Sequence, residues 1–146
     1  MGLNRYLLPL CVFALAAAPG FASSQDIQLT YKLPVVFRCV NSPTEPGYSV
    51  YVVGNLPDLG NWKPADAKPL TLIPNSMKNG NPKINDWTGT HYIDGSKPGD
   101  ELEWKCIVRS EKDKEDKNVV WQPGVNNKVT LTFGNSMSVG DFAPEP

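Results

Sequence analysis

Proline and glycine punctuate this chain at short intervals, 14 of the first and 12 of the second among 146 residues. Each proline fixes φ and removes a backbone donor, and each glycine opens conformations closed to other residues. The pattern therefore suits short strands joined by turns better than long helices. Between these stops the apolar residues alternate. Val35, Phe37 and Cys39 share one parity, Val50 to Val53 form a second run closed by Gly54, and Leu70 to Ile73 form a short third. Trp87 to Ile93 resumes the alternation. Leu102, Trp104, Cys106 and Val108 then mark one face of a strand whose other face carries Glu101, Glu103, Lys105 and Ile107, and Val119 to Trp121 and Lys128 to Phe133 follow. About seven strands without an amphipathic helix predict an all-β fold, a two-sheet sandwich or open barrel. Its core would draw on Val35, Phe37, Val50, Val52, Leu72, Leu102, Trp104, Ile107 or Val108, Leu131 and Phe133.

The amino-terminal residues stand apart from this pattern. One positive charge at Arg5, an apolar run from Tyr6 to Ala18 broken by Pro9, and small residues after Pro19 read as a secretory signal peptide over residues 1–22. Cleavage after Ala22 or after Ser24 fits equally well. The run falls short of the ~20 apolar residues that span a bilayer, so no membrane span is expected once the leader is removed, and the destination is extracellular or periplasmic. Cys11 leaves with the leader. A folded domain over residues 31–133 and a flexible tail over residues 134–146 complete the division. In an oxidising compartment Cys39 and Cys106 form a disulfide or remain two buried thiols, and the sequence does not give the separation that decides between them.

Charge and composition exclude several functions. With 14 Lys and Arg against 15 Asp and Glu there is no long-range attraction for nucleic acid or for an anionic membrane, and nucleic acid is not expected as a partner. His91, the single histidine, excludes a His-rich zinc site and is the only candidate base for a Ser-His or Cys-His nucleophile. The run Glu111 to Lys117 alternates in sign, and its lysines interrupt the carboxylates, so it reads as a solvated hairpin tip and not a calcium loop. No metal site and no cofactor are expected.

Tryptophan needs the most explanation. Trp104 shares the parity of Leu102 and Cys106 and belongs to the core, whereas Trp62, Trp87 and Trp121 each stand beside polar or turn-forming residues. Such a ring either plugs the end of a sandwich or stands in solvent as a flat apolar platform on which a sugar ring stacks. Three stretches then bear on the choice: Val50 to Trp62 with its Gly54-Asn55-Leu56-Pro57-Asp58-Leu59-Gly60-Asn61-Trp62 run, Glu103 to Arg109, and Val119 to Asn127. Their order and spacing resemble the family 20 carbohydrate-binding module, the starch-binding domain attached to many amylases and glucoamylases. The likeness covers residues 33 to 133.

The resemblance implies an antiparallel, immunoglobulin-like β-sandwich that binds starch, glycogen, maltooligosaccharides or cyclodextrins without cleaving them. It implies a first site in which Trp62 and Trp121 form a compact platform for adjacent glucose rings, with Lys105, Asn126 and Glu103 as polar partners. Parity agrees, since Glu103 and Lys105 lie opposite Trp104 in facing, although the bland reading of that pair is an ordinary exposed strand pair. A second, reduced site is implied around Trp87 and Tyr48. Tyr48 is shifted along its loop, and the longer segment from Pro74 to Asp86 holds no aromatic residue. Other readings are a small glycan-active enzyme, an accessory factor for a separate amylase, and a sandwich that binds a protein. A glycosidase needs two carboxylates ~5–10 Å apart across a cleft, and no motif sets such a pair among Asp58, Asp86, Asp100 and Glu103.

Overall fold

A computed structural model describes residues 29–115 and 117–143. The signal peptide expected over residues 1–22 lies outside the described residues. Nine strands form two sheets. β1 spans Lys32–Pro43, β2 Tyr48–Gly54, β3 Lys68–Pro69, β4 Thr71–Leu72, β5 Ile84–Asp94, β6 Glu101–Ser110, β7 Val120–Trp121, β8 Asn127–Thr130 and β9 Ser136–Asp141. The first sheet runs β4-β5-β1-β9 and the second β3-β2-β6-β7, with β8 also paired to β6. Every pairing is antiparallel except that of β1 with β9, which is parallel.

Alternation decides what lies between the sheets. Leu33, Val35, Phe37 and Cys39 of β1 face Val50 and Val52 of β2 and Leu102, Trp104, Cys106 and Val108 of β6, all buried in one cluster. The Trp104 ring meets Phe37 edge-on at 4.9 Å, and its indole N–H donates to Ser138 Oγ of β9 at 3.0 Å. Cys39 and Cys106 are joined by a disulfide between the sheets, with their Cα atoms 6.0 Å apart. Gly140 of β9 passes so close that a Cβ there would lie 2.6 Å from Cys106 Sγ and 2.5 Å from Gln122 Oε1.

Four expectations change. Residues 136–141 of the expected tail are β9, because their backbone extends the first sheet beside β1 and Ser138 serves the Trp104 indole. The third strand, expected over Leu70 to Ile73, is two short pieces. β3 pairs with β2 and β4 with β5, and the chain changes sheet at buried Leu70, whose N–H donates to the Val50 carbonyl. Leu72 and Phe133 are exposed. Phe133 follows the end of β8 and meets the Tyr31 ring edge-on at 5.2 Å. Ile107 and Val108 are both buried, on opposite faces of β6, since the outer face of the second sheet is covered as well.

The segment between β4 and β5 is folded around one carboxylate. Asp86, 2% exposed, accepts from Arg38 and Lys78 at 3.0 Å each and from the Asn41 N–H at 3.1 Å, while its own N–H donates to Ser76 Oγ. Burial pushes the Asp86 carboxyl up, but the hydrogen bonds from Lys78, Asn41 and Arg38 outweigh it and hold the group below its ordinary value.

Two stability measurements follow from these links. The disulfide spans a sequence separation of 67, and closing a loop of that size is worth about 4 kcal/mol. The double variant Cys39→Ala/Cys106→Ala should lose about that much in urea unfolding while keeping the far-ultraviolet circular dichroism of the parent. Asp86 has a folded pKa below its unfolded value of about 3.9, so its contribution is present above that pH and is lost as pH falls through the folded value. Asp86→Asn should therefore cost roughly 2 kcal/mol near neutral pH, discounted because Arg38 and Lys78 are half-exposed, and progressively less as pH is lowered below about 3.9. Equal losses near neutral pH and below that value would show that packing, not charge, holds the segment.

Candidate functional site

β6 is two-faced, and its outer face carries the candidate residues. Strand register sets Glu103 opposite Lys128 of β8, Lys105 opposite Val53 of β2, and Ile107 between Tyr51 of β2 and Trp121 of β7. Paired residues point to the same side, so Trp121 shares the outer face with Ile107. Tyr51, Val53, Ala67 and Ile107 form a second small buried cluster, against which Trp62 and Val119 pack.

Trp62 is delivered to this face by a tight chain segment. Two short 3₁₀ turns, Pro57–Trp62 and Pro64–Asp66, each begin with a proline whose φ suits the first helical position. Within the first of them Gly60, Asn61 and Trp62 have φ of 76°, 49° and 63°, three left-handed residues in succession. Such a φ is uncommon for a residue as large as tryptophan and is held only by its surroundings. The Asn61 N–H donates to the Leu56 carbonyl, the Lys63 N–H donates to the Gly60 carbonyl, and a Cβ on Gly60 would meet the Asp66 backbone at 2.8 Å. Arg109, 3% exposed, completes the anchorage. One guanidinium nitrogen donates to the carbonyls of Pro64 and Ala65 at 2.7 and 3.0 Å, and the group lies 3.9 Å above the Tyr51 ring.

Trp62 and Trp121 line one open groove of about 630 Å³ together with Pro64, Val119, Glu115 and Lys117. Trp121 is 40% exposed. Beside Trp121, the Lys105 ammonium donates to the carbonyls of Gln122 at 2.9 Å and Gly124 at 2.7 Å, which fixes the turn after β7 and leaves one of its three hydrogens for another acceptor. Burial lowers the Lys105 pKa from its ordinary value. Asn126 donates to Glu103 Oε2 at 3.0 Å, and Lys128 lies 3.4 Å from the other Glu103 oxygen. Those two partners, Asn126 first, hold the Glu103 carboxyl below the usual range and keep it ionised.

The fold thus brings Trp62, Trp121, Lys105, Glu103 and Asn126 onto one face. Trp87 and Tyr48 fall elsewhere. Trp87 lies on the inner side of the first sheet, opposite Cys39 and Leu72, and packs half-buried against the main core. Tyr48 opens β2 in the facing sheet, opposite Ser110, and packs against the same core. Arg109 was not among the residues singled out from the sequence. It continues the outward parity of Glu103, Lys105 and Ile107, and that was the available signal.

Over residues 32–140 the chain matches the model of the starch binding domain family. It belongs to that family. A glucan 1,4-alpha-maltotetraohydrolase of Roseateles saccharophilus is 40% identical over 110 residues, which is 74% of this chain and 17% of the relative. A cyclomaltodextrin glucanotransferase of Klebsiella oxytoca is 31% identical over 108 residues, 73% of this chain and 14% of that protein. The chain therefore spans about a sixth of the length of the curated relatives it matches. Among solved structures, the family 20 module of a maltotetraose-forming amylase from Pseudomonas saccharophila superposes with a TM-score of 0.59 at 39% identity, covering 75% of this chain and all of that one. The starch binding domain is thus shared from sequence to fold, and the expectation of an all-β sandwich holds.

Arg109 touches the groove only through the segment it anchors. Arg109→Met removes two hydrogen bonds from a charged donor and should cost about 2 to 3 kcal/mol in urea unfolding. It should also raise acrylamide quenching of Trp62, measured as the difference from the same variant carrying Trp62→Phe.

Proposed function

We propose that this protein is a secreted, non-catalytic module that binds starch, glycogen or related α-1,4-glucans through Trp62 and Trp121. The observation that carries this reading is the shared groove, in which two indoles on a single anchored face stand beside donors and acceptors of both kinds. Faces of pyranose rings stack on the indoles, while Lys105 donates to a hydroxyl and the Asn126 carbonyl oxygen accepts from another. Maltooligosaccharides and cyclodextrins present the same ring faces and serve as soluble ligands. Trp87 and Tyr48 would add at most a weak second contact, given how far both are committed to core packing.

Binding without cleavage is supported by the chemistry of the candidate groups. A general acid for glycoside hydrolysis needs a raised carboxyl pKa, whereas Glu103 is held low by Asn126 and Lys128. His91 lies with Nε2 3.0 Å from the Pro69 carbonyl, and burial lowers its pKa, so its ring serves the fold. Secretion is supported by the leader-like residues 1–22 and by the Cys39–Cys106 disulfide, which persists in oxidising compartments. No helix among the described residues is long and apolar enough to cross a membrane. A separate amylase is the class of enzyme whose substrate such a module would hold.

Retention on granular starch, with cellulose and chitin as controls, tests the reading. The parent should bind starch alone. Trp62→Ala and Trp121→Ala should each weaken binding by about thirtyfold, the equivalent of roughly 2 kcal/mol of lost apolar contact, with the fold intact by circular dichroism. Retention equal to the parent in both variants would remove the rings from the site. New reducing ends after incubation with maltoheptaose would overturn the non-catalytic assignment.

A further inference from the structure

The groove that holds Trp62 and Trp121 does not stop at the rings. A second groove, of about 490 Å³, adjoins it and shares Ala65, Asp66 and Lys114 as common wall, then runs on to Asn61 and Lys68. The indoles line only the first, and Asp66 and Lys114 are the charged residues common to both. We propose that Asp66 and Lys114 form a polar subsite that takes the hydroxyls of a further glucose residue of the same α-glucan chain, beyond the pair stacked on the tryptophans. This rests on the glucan-binding reading above and extends it from two rings to at least three.

The partnering of the charged groups favours this occupant. On the outer face Glu103, Lys105, Lys128 and Arg109 are all engaged by other protein groups. Along the two grooves the side chains of Asp66 and Lys114, like those of Lys63, Lys68, Glu115 and Lys117, form no hydrogen bond or ion pair among the described residues, and of these only Asp66 and Lys114 line both grooves. They offer an acceptor and a donor along one wall, and a sugar hydroxyl is both donor and acceptor. Ala65 lines both grooves as well. The Asp66 side of the wall is also fixed in place. Arg109 holds the carbonyls of Pro64 and Ala65, the Asp66 N–H donates to the Lys63 carbonyl at 3.0 Å, and the bare Gly60 lets the Asp66 backbone close on it. Preorganisation of this kind lets a single hydroxyl contact register in affinity. Lys114 comes from the charged loop between β6 and β7, which gives that loop a role beyond solubility.

Chain length separates the subsite from the platform. Titration calorimetry with maltose and with maltotetraose should show the parent binding the longer sugar more tightly. Asp66→Ala and Lys114→Ala should each weaken maltotetraose about tenfold and maltose less than twofold, whereas Trp62→Ala should weaken both. Parent-like maltotetraose binding by both wall variants, or an equal loss for the two sugars, overturns the subsite while a loss in Trp62→Ala leaves the platform standing. Failure of the parent to bind either sugar overturns both readings.

Discussion

Cys106 is tied to Cys39 across the sandwich, and its neighbours in sequence, Lys105 and Ile107, point the opposite way. That single strand therefore fixes the outer face with the stiffness of the core. Trp104, two residues earlier, meets Phe37 of the first sheet and Ser138 of β9, so three strands from both sheets converge under the position where Lys105 reaches the turn after β7. A side chain on the outer face of β6 inherits this anchorage because the backbone between inner and outer residues has no freedom of its own.

The second level is the segment from Pro57 to Asp66. It has little core of its own beyond Leu59, and it is held by close approach and by charge. Gly60 admits the Asp66 backbone, Arg109 takes two carbonyls, and Trp62 accepts a left-handed φ as the result. Strain of this kind costs on the order of 1–3 kcal/mol and persists where the surroundings overdetermine it. Here it holds a large ring on the wall of the groove that Trp121 also lines.

Much of this was legible in the sequence because a two-residue period is local. Parity alone assigned Trp104 to the core and Glu103 and Lys105 to the opposite face, and resemblance to the starch-binding domains joined them to Trp62, Trp121 and Asn126. What stayed hidden depends on contacts between distant segments. Residues 136–141 read Ser-Met-Ser-Val-Gly-Asp, too small and polar to signal a strand, yet parallel pairing with β1 makes them one. Phe133 continues the alternation of Leu131 but lies past the end of β8, where no sheet remains to cover it. Lys78 to Asn81 form an isolated bridge around a turn with left-handed Asn79 and Gly80, and the organising centre of that segment, Asp86, lies several residues further on. Arg109 reads as a surface charge until the 3₁₀ turns close over it.

The parallel pairing of β1 and β9 also sets a polarity. Val40 lies beside Asp141, and Gly140 lies against Gln122 and Cys106, so the chain leaves β9 next to the turn that carries Trp121. It enters β1 at Lys32, seven residues from Cys39 and therefore about 23 Å away along the strand. Lys32 pairs with Asp94, whose N–H donates to Asp58 of the segment that delivers Trp62, so cargo joined ahead of Lys32 departs beside that segment, while cargo joined after Asp141 departs beside the turn that follows Trp121. The two ends of this small domain are therefore neighbours of different tryptophans, and a fused partner would crowd one ring or the other according to the end that carries it.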